Sequence, residues 1–386
     1  MRSVTILGST GSIGRSTVDL LLKNPDAFSV EALVAYKDVS TLVAQAKALH
    51  AQAAVVADES CYEALKSALV GTSIKVAAGE AAVIEAAERP AEWVMSAIVG
   101  TAGLQPTYAA IKRGAIIALA NKESMVSAGP VMLEALKTYK ATLLPVDSEH
   151  NAIFQVLHES HRIHVEKLIL TASGGPFRKY SPAEMVAVTV EQALKHPTWH
   201  MGPKVTIDCA NLMNKGLEMI EASYIFGFPQ EQIDILIHPQ SIVHSLVAYQ
   251  DGSVLAQLGI HDMRVPISYT LAWPKRILTD LPRLDLSSIG QLNFETPNLE
   301  QFPAISLARQ VLTEGGDRPT VLNAANEMGV QAFIDKKIAF TDIIPLCEQV
   351  LDQIPKSSPP SIEEVLHINQ YTRHIAQEVI RKKNAA

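Results

Sequence analysis

The sequence predicts an α/β chain that opens on a doubly wound parallel sheet, continues into an α+β region and ends in helices. Three observations carry this. Over residues 1–148, short β-branched runs alternate with alanine-rich amphipathic stretches, the pattern of parallel strands joined by crossover helices. A glycine turn, Gly8-Ser9-Thr10-Gly11-Ser12-Ile13-Gly14, joins the first run to the first helical stretch. From residue 304 onward the apolar spacing is helical.

Taken in order, strands are expected at residues 4–7, 30–35, 53–57, 74–77, 93–99, 116–120 and 142–146, with helical stretches such as 16–22, 38–50 and 81–88 between them. Residues 1–147 then form one Rossmann-like domain. Beyond it, residues 165–171, 205–208 and 233–237 are strand-like but separated by long stretches containing Gly and Pro. Residues 245–250 and 253–258 flank Asp251-Gly252, a hairpin signal that favours a type I′ turn. These place an α+β catalytic domain at 148–272. Pro274, Pro282 and Pro297 mark residues 273–300 as a linker, and residues 301–386 form a C-terminal all-α domain, with Thr341 and Asp342 at a helix start.

Composition narrows the function. The chain has 386 residues, 48% of them hydrophobic, enough to bury a large core. Lys and Arg number 33 against 40 acidic residues, a net charge of −7 with no long basic run, so no nucleic-acid partner is expected and any phosphate-bearing partner is small. Cys61, Cys209 and Cys347 form neither a disulfide framework nor a zinc motif, which points to a reducing compartment. The N-terminus enters a strand directly, and no stretch approaches the roughly eighteen uninterrupted apolar residues of a membrane span. A cytoplasmic protein is expected.

Chemistry concentrates in three places. The glycine turn follows a strand and opens a helix, the order a dinucleotide site needs: glycine lets the backbone approach the pyrophosphate, and the helix N-terminus supplies N–H groups. Its spacing is Gly-x-x-Gly-x-x-Gly, and Thr10, Gly11, Ser12 and Ile13 line it. At the end of the second strand, Lys37 can pair with a ribose 2′-phosphate, whereas Asp38 either accepts from a 2′-hydroxyl or caps the next helix. Finally, Asp147 and Glu149 lie two residues apart after a strand and can face one side of an extended segment. With Glu218, which shares about one helical turn with Asn214 and Lys215, they form a carboxylate set suited to Mg²⁺ or Mn²⁺.

Together with Ala120-Asn121-Lys122-Glu123-Ser124, Pro145 to Gln155, Ser173-Gly174-Gly175-Pro176-Phe177-Arg178, His196-Pro197-Thr198-Trp199, Met213 to Glu218 and Ile237-His238-Pro239-Gln240-Ser241, these motifs closely resemble the 1-deoxy-D-xylulose 5-phosphate reductoisomerase family across nearly the whole chain. The resemblance implies an NADPH- and divalent-metal-dependent homodimer of the non-mevalonate isoprenoid pathway. Such an enzyme rearranges its sugar phosphate to a branched aldehyde and reduces it to 2-C-methyl-D-erythritol 4-phosphate.

Carried over by position, Asp147, Glu149 and Glu218 match metal ligands, while Ser148 and Lys122 match groups on the substrate backbone. Asn121 and Glu123 match positions near the nicotinamide, and Gly202 matches a further cofactor position. Ser173, His196, Asn214 and Lys215 match the phosphate site. Residues 196–204 resemble a mobile flap in which Trp199 and Met201 cover the substrate. The chain departs from the family at Cys209, where a serine is usual in the phosphate site, and at Tyr36 and Asp38, where Gly and Asn are usual. A thiol donates more weakly than a hydroxyl, and Asp38 bears on the preference for NADPH. The alternative reading is a semialdehyde-type dehydrogenase with Cys209 as nucleophile, which would need an activated thiolate.

Overall fold

Strands β1 (Arg2–Leu7), β2 (Phe28–Ala35), β3 (Ala53–Val56), β4 (Lys75–Ala78), β5 (Trp93–Ser96), β6 (Ile116–Leu119) and β7 (Thr142–Pro145) form one seven-stranded sheet in the order β4-β3-β2-β1-β5-β6-β7. Every pairing in it is parallel. The structure is a computed structural model and describes residues 1–195, 198–199 and 201–385. Helices α1 (Ser12–Leu22), α2 (Val39–Ala48), α3 (Tyr62–Ala68), α4 (Glu80–Glu88), α5 (Leu104–Lys112) and α6 (Lys122–Thr138) lie in the six connections, and α7 (Ser148–Val156) follows β7. All seven sequence-predicted strands are present. They lack strict polar alternation because helices cover a parallel sheet on both faces, which leaves near-continuous apolar runs. Strand order reverses on either side of β1, and the crevice beside the carboxyl end of β1 is where open α/β sheets bind ligands.

The mixed region contains β8 (Val165–Ala172), α8 (Pro182–Val186), α9 (Val190–Ala193), α10 (Pro203–Ala210), α11 (Met213–Phe226), β9 (Ile233–Ile237), β10 (Val243–Tyr249) and β11 (Val254–Leu258). Its four strands run in the order β11-β10-β8-β9, with β8 parallel to β9 and antiparallel to β10. The later helices are α12 (Arg264–Ala272), α13 (Leu286–Ile289), α14 (Ala304–Glu314), α15 (Arg318–Ile334), α16 (Ile343–Gln353) and α17 (Ile362–Ala385). No helix is long and apolar enough to cross a membrane among the described residues.

Two compact units result. The first comprises residues 1–124, 132–151 and 262–282, and the second residues 125–131, 152–261 and 283–386. Helix α12 belongs to the first, where Trp93 donates to the Thr270 carbonyl at 3.1 Å and Arg2 donates to the carbonyls of Leu271 and Trp273 at 2.7 and 3.0 Å. Val4, Ile6, Leu33, Trp93, Ile267 and Leu271 share its core. In the second unit α11 is buried along nearly its whole length, packed on β8, β9 and α14. Gly216 permits the approach of α14, since a Cβ there would sit 2.9 Å from the Ala308 methyl.

Two local expectations are corrected. Residues 205–208 are not a strand but part of α10: Val205-Thr206-Ile207 is β-branched, yet Gly202 at the N-cap and Pro203 at the first helical position start a helix. The hairpin at Asp251-Gly252 exists, but its turn is not type I′, which needs positive φ at both central residues. Here only Gly252 has positive φ, +86°, and the Tyr249 carbonyl accepts from Gly252 N–H at 2.9 Å, giving a three-residue connection closed by Tyr249 and Ser253.

Candidate active site

In the first unit, β1 delivers the glycine turn. Gly8 has φ +91°, and a Cβ there would lie 2.6 Å from the Ala97 carbonyl oxygen, so the turn reaches the strand next to β1 only as glycine. Gly14 is tighter still, its notional Cβ 2.2 Å from the Gly8 carbonyl oxygen. Gly11 is the N-cap of α1 and offers no side-chain cap, while a Cβ on it would meet nothing closer than 3.5 Å. The first-turn N–H groups of α1 thus face an open approach, which fits a dinucleotide pyrophosphate. The buried Gln45 side chain of α2 donates to the Ser9 carbonyl at 2.9 Å and fixes the turn from behind.

At the end of β2, Lys37 and Tyr36 are exposed. Asp38 caps α2: its Oδ1 accepts from Thr41 N–H at 3.1 Å and from the Ser40 hydroxyl at 3.0 Å. Thr41 is the principal cause that holds the Asp38 carboxyl below the usual carboxylate range. Nothing in the sequence marks Arg15. Its guanidinium donates to the Thr10 carbonyl at 2.8 Å and to Asp38 Oδ2 at 3.2 Å, and only knowledge of how α1 sits beside α2 reveals it.

Beyond β6, Asn121 caps α6, accepting from Ser124 N–H at 3.3 Å and donating to the Gly100 carbonyl at 2.9 Å. Gly103 makes room for it, since a Cβ there would lie 2.3 Å from the Asn121 amide nitrogen. Lys122 and Glu123 follow in the first turn, both buried, and the Lys122 ammonium pairs with Asp147.

The acidic pair does not lie on an extended segment as expected. Asp147 precedes α7, its carbonyl accepting from Asn151 N–H at 2.8 Å, and Glu149 is in the first helical turn. The strand-to-helix junction nevertheless keeps an oxygen of each within 4.8 Å of the other. The Ser148 hydroxyl donates to Glu149 at 2.6 Å. Buried His150, given no role by the sequence motif, brings a ring nitrogen within 4.8 Å of an Asp147 oxygen. Two partly buried carboxylates at a helix N-terminus, one already facing an ammonium, fit a hard divalent cation.

In the second unit, Asn214, Lys215 and Glu218 share one face of α11, where Glu218 accepts from both the Asn214 amide and the Lys215 ammonium. All three are buried, Glu218 to 1% exposure, so this charge is compensated at close range. The break between α10 and α11 aims them: Leu212 takes φ +64°, unusual for a branched residue, and Asn211 Oδ1 accepts from Met213 N–H at 2.9 Å. Ser173 lies after β8, its hydroxyl accepting from Gly175 N–H at 3.2 Å. Gly175 brings this loop onto α10, for a Cβ there would lie 2.6 Å from the Cys209 carbonyl oxygen. Trp199 packs against His244 and His261, with ring centroids 6.3 and 5.5 Å away. Met201 is half-buried and Gly202 exposed, whereas His196, Pro197 and His200 lie outside the described residues, so the readings on His196 and on part of the flap rest on sequence alone.

His244 is a further residue not singled out from sequence. Burial, then the nearby His261, lowers its pKa to about 4. Because the unfolded histidine takes its proton near pH 6.5, stability is fully present above that pH and is lost as pH falls toward 4. The slope of unfolding free energy between pH 6.5 and 4, from urea titrations, is expected to flatten in His244→Gln.

Family models for 1-deoxy-D-xylulose 5-phosphate reductoisomerase match residues 4–129, for its C-terminal domain residues 143–226, and for the DXP reductoisomerase C-terminal domain residues 258–375. The chain belongs to the 1-deoxy-D-xylulose 5-phosphate reductoisomerase family. It is 53% identical to the reductoisomerase of Zymomonas mobilis subsp. mobilis, over 96% of each chain, and 53% identical to that of Rhodospirillum centenum, over 98% of this chain and 94% of the relative. The solved Zymomonas mobilis reductoisomerase, in complex with NADPH, superposes with a TM-score of 0.94 at 51% identity over 98% of this chain and 99% of that one. A second solved reductoisomerase, holding NADPH, fosmidomycin and magnesium, gives a TM-score of 0.93 at 39% identity over 99% and 98%. Reductoisomerase membership removes the semialdehyde-dehydrogenase alternative built on Cys209.

Proposed function

We propose that this chain performs the reductoisomerase reaction on 1-deoxy-D-xylulose 5-phosphate, forming 2-C-methyl-D-erythritol 4-phosphate with NADPH and Mg²⁺ or Mn²⁺ for isoprenoid synthesis. The observation that carries the reading is the match of all three family models, supported by relatives solved with NADPH and magnesium. Residues 1–147 hold the dinucleotide, 148–272 the substrate, 273–300 link, and 301–386 pack as helices.

Asp147, Glu149 and Glu218 are the metal ligands. A divalent cation held there would polarise the substrate's carbonyl and hydroxyl oxygens while the C–C bond is rearranged, and NADPH would supply the hydride. Lys122 donates to the substrate oxygens, its ammonium held in place by Asp147, while Ser148 orients Glu149 and reaches the substrate backbone. Ser173, His196, Asn214 and Lys215 bind the phosphate, with the weaker donor Cys209 where a serine is usual. Trp199 and Met201 cover the substrate and exclude water from the reactive aldehyde. Asn121, Glu123 and Gly202 position the nicotinamide half, and Thr10, Gly11, Ser12, Ile13 and Lys37 the phosphates of NADPH.

Lys215→Ala is expected to raise KM for the sugar phosphate, losing about 1–3 kcal/mol of charge-assisted contact. Steady-state kinetics with an unchanged KM would remove Lys215 from the phosphate site.

The enzyme is cytoplasmic and works as a homodimer. β11 is the outer strand of its sheet, with Val254 52% and Leu255 47% exposed, an edge suited to cover by a second copy. Sedimentation velocity is expected to give one species of twice the 41.8 kDa chain mass; a monomer at micromolar concentration would count against it.

A further inference from the structure

At the adenosine end of the first unit the chain carries an apparent contradiction. A carboxylate after the second strand of a dinucleotide fold is the usual acceptor for a ribose 2′-hydroxyl and repels a 2′-phosphate. This chain has Asp38 there, beside the exposed Lys37. Geometry engages Asp38 within the protein. Oδ1 is taken by Thr41 N–H and the Ser40 hydroxyl, at 3.1 and 3.0 Å, and Oδ2 by Arg15 at 3.2 Å. The same guanidinium nitrogen reaches the Thr41 hydroxyl at 3.3 Å, and Arg15 Nε donates to the Thr10 carbonyl at 2.8 Å inside the glycine turn. Arg15 therefore ties together the pyrophosphate turn, the helix cap and the Asp38 carboxylate, which would oppose a phosphate on the ribose. Asp58 also lies near Lys37, but its carboxylate is turned onto the Ser60 hydroxyl and N–H at 2.6 and 3.0 Å.

We propose that Arg15 is a specificity-determining positioning residue: by pairing with Asp38 it keeps that carboxylate as a cap and cancels its charge, leaving Lys37 to select a cofactor with a 2′-phosphate. The inference rests on the dinucleotide reading above and deepens it. Both Arg15 and Asp38 are substantially exposed, with side-chain exposures of 58% and 36%, so the pair matters less for folding than for the local field a bound phosphate meets.

Direct binding of NADPH and of NADH to the full-length protein, by calorimetry without substrate, tests it. The wild type is expected to bind NADPH more tightly. Arg15→Ala is expected to weaken NADPH about tenfold while moving NADH less than about twofold, because only the phosphate meets the uncovered charge. Asp38→Asn added to Arg15→Ala is expected to restore most of the NADPH affinity. Equal weakening of both cofactors by Arg15→Ala would overturn the proposal, assigning Arg15 to the shape of the turn. Failure of the double variant to recover would also overturn it, since Arg15 would then act on the phosphate itself and not through Asp38. Wild-type protein binding neither cofactor would instead defeat the underlying dinucleotide reading, and the proposal with it.

Discussion

Glu218→Gln is expected to lower turnover by a factor on the order of 1000 while leaving NADPH affinity unchanged. Glutamine keeps the shape of the side chain but removes its charge. In α11 that charge is set among Asn214 and Lys215, both of which donate to it, at 1% exposure. A neutral amide offers a cation a weaker oxygen and sets an N–H₂ against one of its two donors, so ligation and local order suffer together. The dinucleotide turn belongs to the first unit and does not involve α11. Calorimetric titration with Mn²⁺, run beside the rate assay, separates the causes: lost Mn²⁺ binding with intact NADPH binding is the expected pattern. Near-normal turnover at saturating Mg²⁺ would remove Glu218 from the ligand set.

Gly14→Ala is expected to cost NADPH affinity on the order of 100-fold, because the added methyl cannot be placed without moving the turn. Its Cβ would lie 2.2 Å from the Gly8 carbonyl oxygen and 2.5 Å from Ser9 backbone atoms. Relief requires a shift of roughly 1 Å at the atoms that meet the pyrophosphate, a displacement that typically costs this much where geometry must be held. Gly11→Ala provides the comparison. With no protein atom nearer than 3.5 Å, that methyl leaves the fold intact and intrudes only on the ligand's approach. Fluorescence titration of NADPH and a thermal melt together distinguish the two: Gly14→Ala lowers both affinity and Tm, Gly11→Ala affinity alone.

The parallel sheet was legible because most of its strands are short, largely apolar runs bounded by turns and helical stretches, as helices on both faces require. Residues 205–208 misled for the same reason in reverse. Val205, Thr206 and Ile207 favour strand by side chain, but burial within α10 and the Gly202-Pro203 start signal outweigh that preference. At the hairpin the residues announced a turn but not its class, which the Tyr249–Ser253 pairing decides. Candidate site residues were readable where neighbours in sequence share chemistry, as in Asp147-Ser148-Glu149 or Asn214-Lys215-Glu218. Residues that act through a distant partner left no local trace. Arg15 gains meaning only from the 23-residue separation that folding closes to Asp38, and His244 only from its burial beside Trp199 and His261.

The most direct test of the proposed reaction is the loss of reduced-nicotinamide absorbance with 1-deoxy-D-xylulose 5-phosphate, using NADPH and NADH, each with Mn²⁺ and with chelator. Oxidation of NADPH that requires both the sugar phosphate and Mn²⁺, and that is slower with NADH, is the predicted result. Folded protein that oxidises neither cofactor with Mn²⁺ present, or that oxidises NADPH equally well in chelator, would contradict it.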